Sequence, residues 1–151
     1  MIRIAFLATM MSFGALAATV EILPPYSDLI NGQPIPMKPV LAESIRVMDL
    51  VVDGKHHIVN KDIRPAGTRA PVHIHPYGGS TCVMQGEMTL YMDGFEPVTK
   101  KAGECYWMPH SHRMSGVNTG KETAIMFDSF IVPIGAPTWQ VVEPGMLGHK
   151  H

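Results

Sequence analysis

Three His-x-His pairs mark where this chain could do metal chemistry: His73 and His75, His110 and His112, and His149 and His151. Side chains two residues apart on a β-strand point to the same side. A strand through His73 and His75 therefore presents two imidazoles on one face, and neutral imidazole is a ligand for zinc, copper, nickel and iron. Two histidines on a surface strand edge would give the same pattern without any metal. His110 follows Pro109 and reads as a solvent-facing loop residue. The last pair ends the chain, where fraying is the rule, and would bind metal only adventitiously. His56 and His57 are adjacent, so they face opposite ways on a strand and cannot act together.

The elements that must position these groups are short strands separated by tight turns. Residues 45–52 are rich in β-branched types, Asp53-Gly54 is a hairpin signal, and residues 55–63 form the return strand. Pro65-Ala66-Gly67 turns the chain into the His73 segment. Strands are then expected over residues 81–84 and 87–92, with Gly86 between them and Asp93-Gly94 turning the second back. Met88, Leu90 and Met92 alternate with Thr89 and Tyr91, which gives one apolar face. Residues 105–108 and 123–132 complete the set, with Asp128 interrupting an otherwise apolar run.

Gly67, five residues, His73-x-His75, a turn at Gly78-Gly79 and a strand ending at Gly86 resemble the first motif of the cupin superfamily. Gly103-Glu104-Cys105-Tyr106-Trp107-Met108-Pro109 with Asn118 resembles the second. The resemblance covers about residues 67–118. It implies an all-β protein, a single antiparallel jelly-roll (cupin) β-barrel over residues 43–132, with metal ligands projecting inward. Asp128, alone in its apolar run, reads as a barrel-mouth or salt-bridge residue rather than a catalytic one.

Two positions depart from the family pattern. The family's Glu or Gln slot holds Gly79, which offers no ligand atom, and its last His slot holds Met114. His112 lies two residues earlier. The metal set is therefore His73 and His75 with either His112 or Met114 as third donor, the choice turning on the length of the loop after Pro109. Three imidazoles suit zinc, nickel, iron, manganese or copper, whereas a thioether favours copper, above all Cu(I). The missing carboxylate disfavours iron and manganese. Glu87, Glu104 and His110 are general-base candidates only by nearness in sequence, and Glu104 fits a structural role beside Gly103. The fold alone does not choose between oxidoreductase, isomerase or lyase chemistry and a non-catalytic small-molecule or metal-binding module.

Composition bounds the rest. The 151 residues suit one domain with a real core, and the net charge of −1 with a pI near 6.7 gives no basic surface for nucleic acid. The expected partner is a small-molecule ligand. The 12 methionines need no explanation beyond core filling. Residues 1–17 read as a signal peptide: a basic start at Arg3, an apolar run, then Ala15-Leu16-Ala17 as a cleavage pattern. A periplasmic or secreted protein with no membrane partner after signal removal is expected. Residues 18–42 read as a Pro-rich arm lying across a barrel edge or against a second subunit, hence a possible homodimer. Residues 133–151 read as a Pro/Gly-rich tail whose Trp139 to Val142 segment can pack back on the barrel. Cys82 and Cys105 lie on strands that neighbour each other in the family's jelly roll and form either one disulfide or two separate buried thiols.

Overall fold

The computed structural model describes residues 26–147, which contain strands, turns and loops and no helix; the expected signal peptide and the His149–His151 pair lie outside the described residues. The strands are β1 (Leu29–Ile30), β2 (Gln33–Pro34), β3 (Lys38–Pro39), β4 (Glu43–Val52), β5 (Lys55–Arg64), β6 (Thr68–Arg69) and β7 (His73–Ile74). They continue as β8 (Gly79–Gln85), β9 (Glu87–Met92), β10 (Val98–Lys101), β11 (Cys105–Met108), β12 (Met114–Val117), β13 (Ala124–Pro133) and β14 (Gln140–Val141).

Two sheets face each other as an all-β jelly roll. One runs β11-β8-β13-β5-β4, and the other runs β10-β9-β12-β6-β3, with β7 joining β12 to β14. The β4–β5 hairpin closes where Asp53 and Gly54 both take positive φ, 49° and 72°. That is the backbone a two-residue hairpin loop with right-handed twist requires. Between the sheets pack Val83, Met88, Leu90, Met92, Met108, Met114, Met126 and Phe130. The methionines of the inner faces are thus core, as composition suggests.

Cys105 lies directly opposite Cys82 in the β11–β8 pair, and the two form a disulfide. This settles the cysteine alternative in favour of one bridge.

The arm and the tail both belong to the barrel. β3 pairs in parallel with β6, and Val40 N donates to Arg69 O at 2.9 Å, so the described part of the arm lies on its own barrel's edge. β14 pairs with β7 in the register Val141 to His73. Boundaries at residues 42 and 132 therefore cut through one sheet.

Arg69 and Glu143 hold these pieces together. Arg69 Nη1 and Nη2 donate to the Glu143 carboxylate at 2.7 and 2.9 Å, Nη1 also reaches Ala70 O, and Nε reaches Met37 O at 3.2 Å. Val72 N donates to the same carboxylate at 2.8 Å, and both charged side chains are about 7 % exposed. Removing one partner of such a pair strands a buried charge and costs about 3–5 kcal/mol. Glu143→Ala should lower unfolding stability by that order in chemical denaturation; a change below about 1 kcal/mol would mean that the tail does not dock.

Candidate functional site

β7 and the residue after it carry the histidine pair. His73 pairs across to Met114 in β12 and to Val141 in β14, so its backbone is held from both sides. His73 and His75 are 6 % and 3 % exposed, and their rings meet edge to face with centroids 4.8 Å apart. The shared strand face that alternation predicts is thus present.

Hydrogen bonds fix how each ring points. His73 Nδ1 lies 2.7 Å from Pro71 O, and His75 Nδ1 lies 2.7 Å from Thr138 O. A carbonyl oxygen only accepts, so each Nδ1 carries the hydrogen and each neutral ring turns its Nε2 lone pair inward. The two Nε2 atoms stand 3.1 Å apart. Two lone pairs facing one point repel unless a proton or a cation lies with them. A shared proton is a poor solution here, because burial pushes the His75 imidazolium down to about 4, only partly offset by the Thr138 carbonyl. A cation is the other solution: ligands about 2.1 Å from one ion stand roughly 3.4 Å apart in a tetrahedral site and about 3.0 Å apart at a right angle, so the pair lies a little closer than a tetrahedral site sets it. Donation of the other ring nitrogen to a carbonyl is the usual support for a metal-bound histidine.

The two candidates for third donor are placed differently. Met114 is fully buried and lines the same cavity as His73 and His75. His112 sits on the outer loop, its Nδ1 2.9 Å from His110 O and its ring 5.7 Å from Phe95, and it does not reach the pair. Among the described residues no three His, Cys, Asp or Glu side chains are arranged to hold a metal. The slot at Gly79 is closed rather than empty. A Cβ there would lie 2.6 Å from two ring carbons of Phe130 and 3.0 Å from Ser129 O. Phe130 also packs on His75, with centroids 5.0 Å apart.

Sequence reasoning missed the other half of the site. The general-base candidates lie elsewhere: Glu104 caps its turn through Lys101 N at 2.8 Å, Glu87 meets Thr119, and His110 is exposed. Instead, a polar row crosses four strands of the inner face. Asn60, Asp128, Thr81 and Tyr106 lie in register on β5, β13, β8 and β11, with Asp62 and Arg64 next along β5. Among the described residues Asp128 forms no salt bridge; it is part-buried in the cavity wall. It accepts a hydrogen bond from Thr81 Oγ1 at 2.6 Å. Burial first, and the charge of Asp62 second, hold its carboxyl well above the usual carboxylate range. Asp62 Oδ1 is buried and has no hydrogen-bond partner among the described residues. Burial also raises the Tyr106 phenol and lowers the Arg64 guanidinium. A local signal for this row stands in the sequence: Asn60, Asp62 and Arg64 alternate along one strand.

These groups share one cavity with the histidines, in two lobes of about 50 and 40 Å³. A water needs about 10–15 Å³ of such space, so each lobe holds about three or four waters or a ligand of a few heavy atoms.

No family model and no curated protein matches the chain by sequence. Solved structures do match in fold. An uncharacterized conserved protein with a double-stranded β-helix domain from Klebsiella pneumoniae is 22% identical, with a TM-score of 0.52 over 71% of this chain and 90% of that one. DMSP lyase DddQ from Ruegeria pomeroyi is 17% identical, with a TM-score of 0.56 over 70% of this chain and 53% of that one. A Lactobacillus farciminis oxalate decarboxylase in its formate complex is 13% identical, with a TM-score of 0.51 over 63% and 33%.

Two outcomes follow from the site. Gly79→Ala should destabilise by about 1–3 kcal/mol through overpacking, and Phe130→Ala in the same chain should absorb part of that cost. A neutral Gly79→Ala measured by denaturation would contradict the Phe130 contact. In metal-stripped protein the unfolded chain takes up the His75 proton near 6.5 and the folded chain only near 4. Stability is therefore full above about pH 6.5 and is lost toward about pH 4, by about 3 kcal/mol from this residue. Asp128 acts with the opposite sign but is common to wild type and His75→Gln, so the difference between the two profiles isolates His75: wild type should lose about 3 kcal/mol relative to the variant as pH falls from about 6.5 to about 4. Parallel profiles would count against a buried neutral imidazole.

Proposed function

We propose that this cupin-fold chain is an exported enzyme that holds a soft transition metal, copper first, on His73, His75 and Met114. It would act on a small molecule inside the barrel. The observation that carries the reading is the pair of Nε2 atoms turned to one point, 3.1 Å apart, in the same cavity as the Asp62 and Asp128 carboxyls. A metal bound there supplies a Lewis-acid or redox centre. Two imidazoles and a thioether suit Cu(I); zinc and nickel rank below it, and iron and manganese would want the carboxylate that Gly79 cannot give.

The acid–base part comes from the chain itself. Asp128 retains its proton toward neutral pH, held by burial and by the neighbouring carboxyl. Asp62 lines the cavity and carries an oxygen without a hydrogen-bond partner among the described residues, which suits it to take a proton from a bound molecule while Asp128 returns one. Arg64 offsets the charge of the pair and orients an oxygen-bearing ligand. The two lobes restrict that ligand to a few heavy atoms. A DMSP lyase and an oxalate decarboxylase among the structures of like fold support small-molecule chemistry in the coarse sense only. The Cys82–Cys105 bridge supports an oxidising compartment, in keeping with the signal peptide read in residues 1–17.

The test uses untagged protein with His149 and His151 replaced by Ala, stripped of metal and offered copper and zinc separately. One equivalent of copper should bind. His73→Ala with His75→Ala should lose it, and Met114→Leu should weaken copper by at least about tenfold while changing zinc little. Asp62→Asn should keep the copper and lose turnover. Failure of the parent protein to take up either metal would sink the metal reading and leave a metal-free binding module.

A further inference from the structure

β4 is the outer edge of its sheet, with β5 as its one neighbour among the described residues. Edge strands on soluble proteins usually carry charge or proline that discourages further pairing. This one carries Ile45, Val47, Met48, Leu50, Val51 and Val52, which are 36 to 59 % exposed. The apolar surface continues across the sheet: Leu50 pairs with His57, His57 pairs with Ile131, and Ile131 is exposed. A contiguous patch of this kind marks an interaction surface.

We propose that two copies of this chain associate by antiparallel pairing of β4 with β4 about a two-fold axis between Val47 and Met48. That register sets Arg46 against the partner's Asp49, Ile45 against the partner's Leu50, and Ser44 against the partner's Val51. On a regular strand it would be forbidden, because residues three apart face opposite sides and opposed pairs must share one. β4 is not regular. Its pairing with β5 shifts by one residue between Arg46 and Met48, a bulge at Val47. The shift brings Arg46 and Asp49 to one face, where they already form an ion pair of 3.0 Å within the chain. It likewise puts Ile45 and Leu50 together on the outer face, beside Lys61 and His57 of β5. The strand is thus self-complementary in both charge and apolar side chains, which is what an isologous interface requires. The described part of the Pro-rich arm, by contrast, is already paired to its own β6.

Sedimentation or light scattering on the full chain tests this, independently of any metal. The expected mass is twice that of one chain at micromolar concentration. Leu50→Lys should give monomers of unchanged circular dichroism. Arg46→Asp alone and Asp49→Arg alone should each raise the dissociation constant by at least about tenfold by opposing like charges. The double swap should return it to within about threefold of wild type. A monomeric wild type overturns the proposal, as does a dimer that Leu50→Lys leaves intact. A dimer indifferent to either single charge swap overturns the register and with it the strand-to-strand pairing.

Discussion

Inside the barrel wall, Arg69 and Glu143 meet in a two-pronged ion pair that draws together segments distant in the chain. The Glu143 carboxylate also takes the Val72 amide, one residue before His73. Arg69 takes the Met37 carbonyl from the arm. The tail that this pair anchors brings Thr138 O to His75 and Trp139 to within 5.1 Å of His73. The tautomer of His75 and the packing around His73 thus depend on a charge pair that touches neither ring. A buried pair is not by itself a strong source of stability; here its consequence is positional.

The inner face is organised by sharply different rows. Ile58 pairs with Phe130 and Gly79 with Met108, and Phe130 packs over Gly79 to join them as an apolar row; Asn60, Asp128, Thr81 and Tyr106 follow in register as a polar one. The apolar row fills the place of the family's carboxylate ligand, because Phe130 needs the room that only glycine leaves at residue 79. The polar row places carboxyls one step further along the barrel, out of reach of a shared ligand set with the histidines but within the same cavity.

How much of this could be read from the sequence follows from the range of each interaction. Alternation is local, so His73 and His75 on one face, the Asp53-Gly54 hairpin and the Met88-Leu90-Met92 core face were legible. The family motifs brought Cys82 and Cys105 to neighbouring strands, but only coordinates could say that they bond. Met114 and His112 could not be separated, since two residues of loop decide which side chain turns inward. Asp128 was visible as an oddity in an apolar run. Its partner Asp62 was not, because the pair lies diagonally across two strands 66 positions apart in the chain, and nothing local records that pairing. The tail's part was hidden for the same reason.

X-ray absorption at the copper edge, on Cu(I)-loaded protein in which His149 and His151 are replaced, tests the central claim most directly. Two imidazole nitrogens and one thioether sulfur in the first coordination shell are predicted, with the sulfur lost in Met114→Leu. A shell of nitrogen and oxygen alone, unchanged by that substitution, would contradict the account.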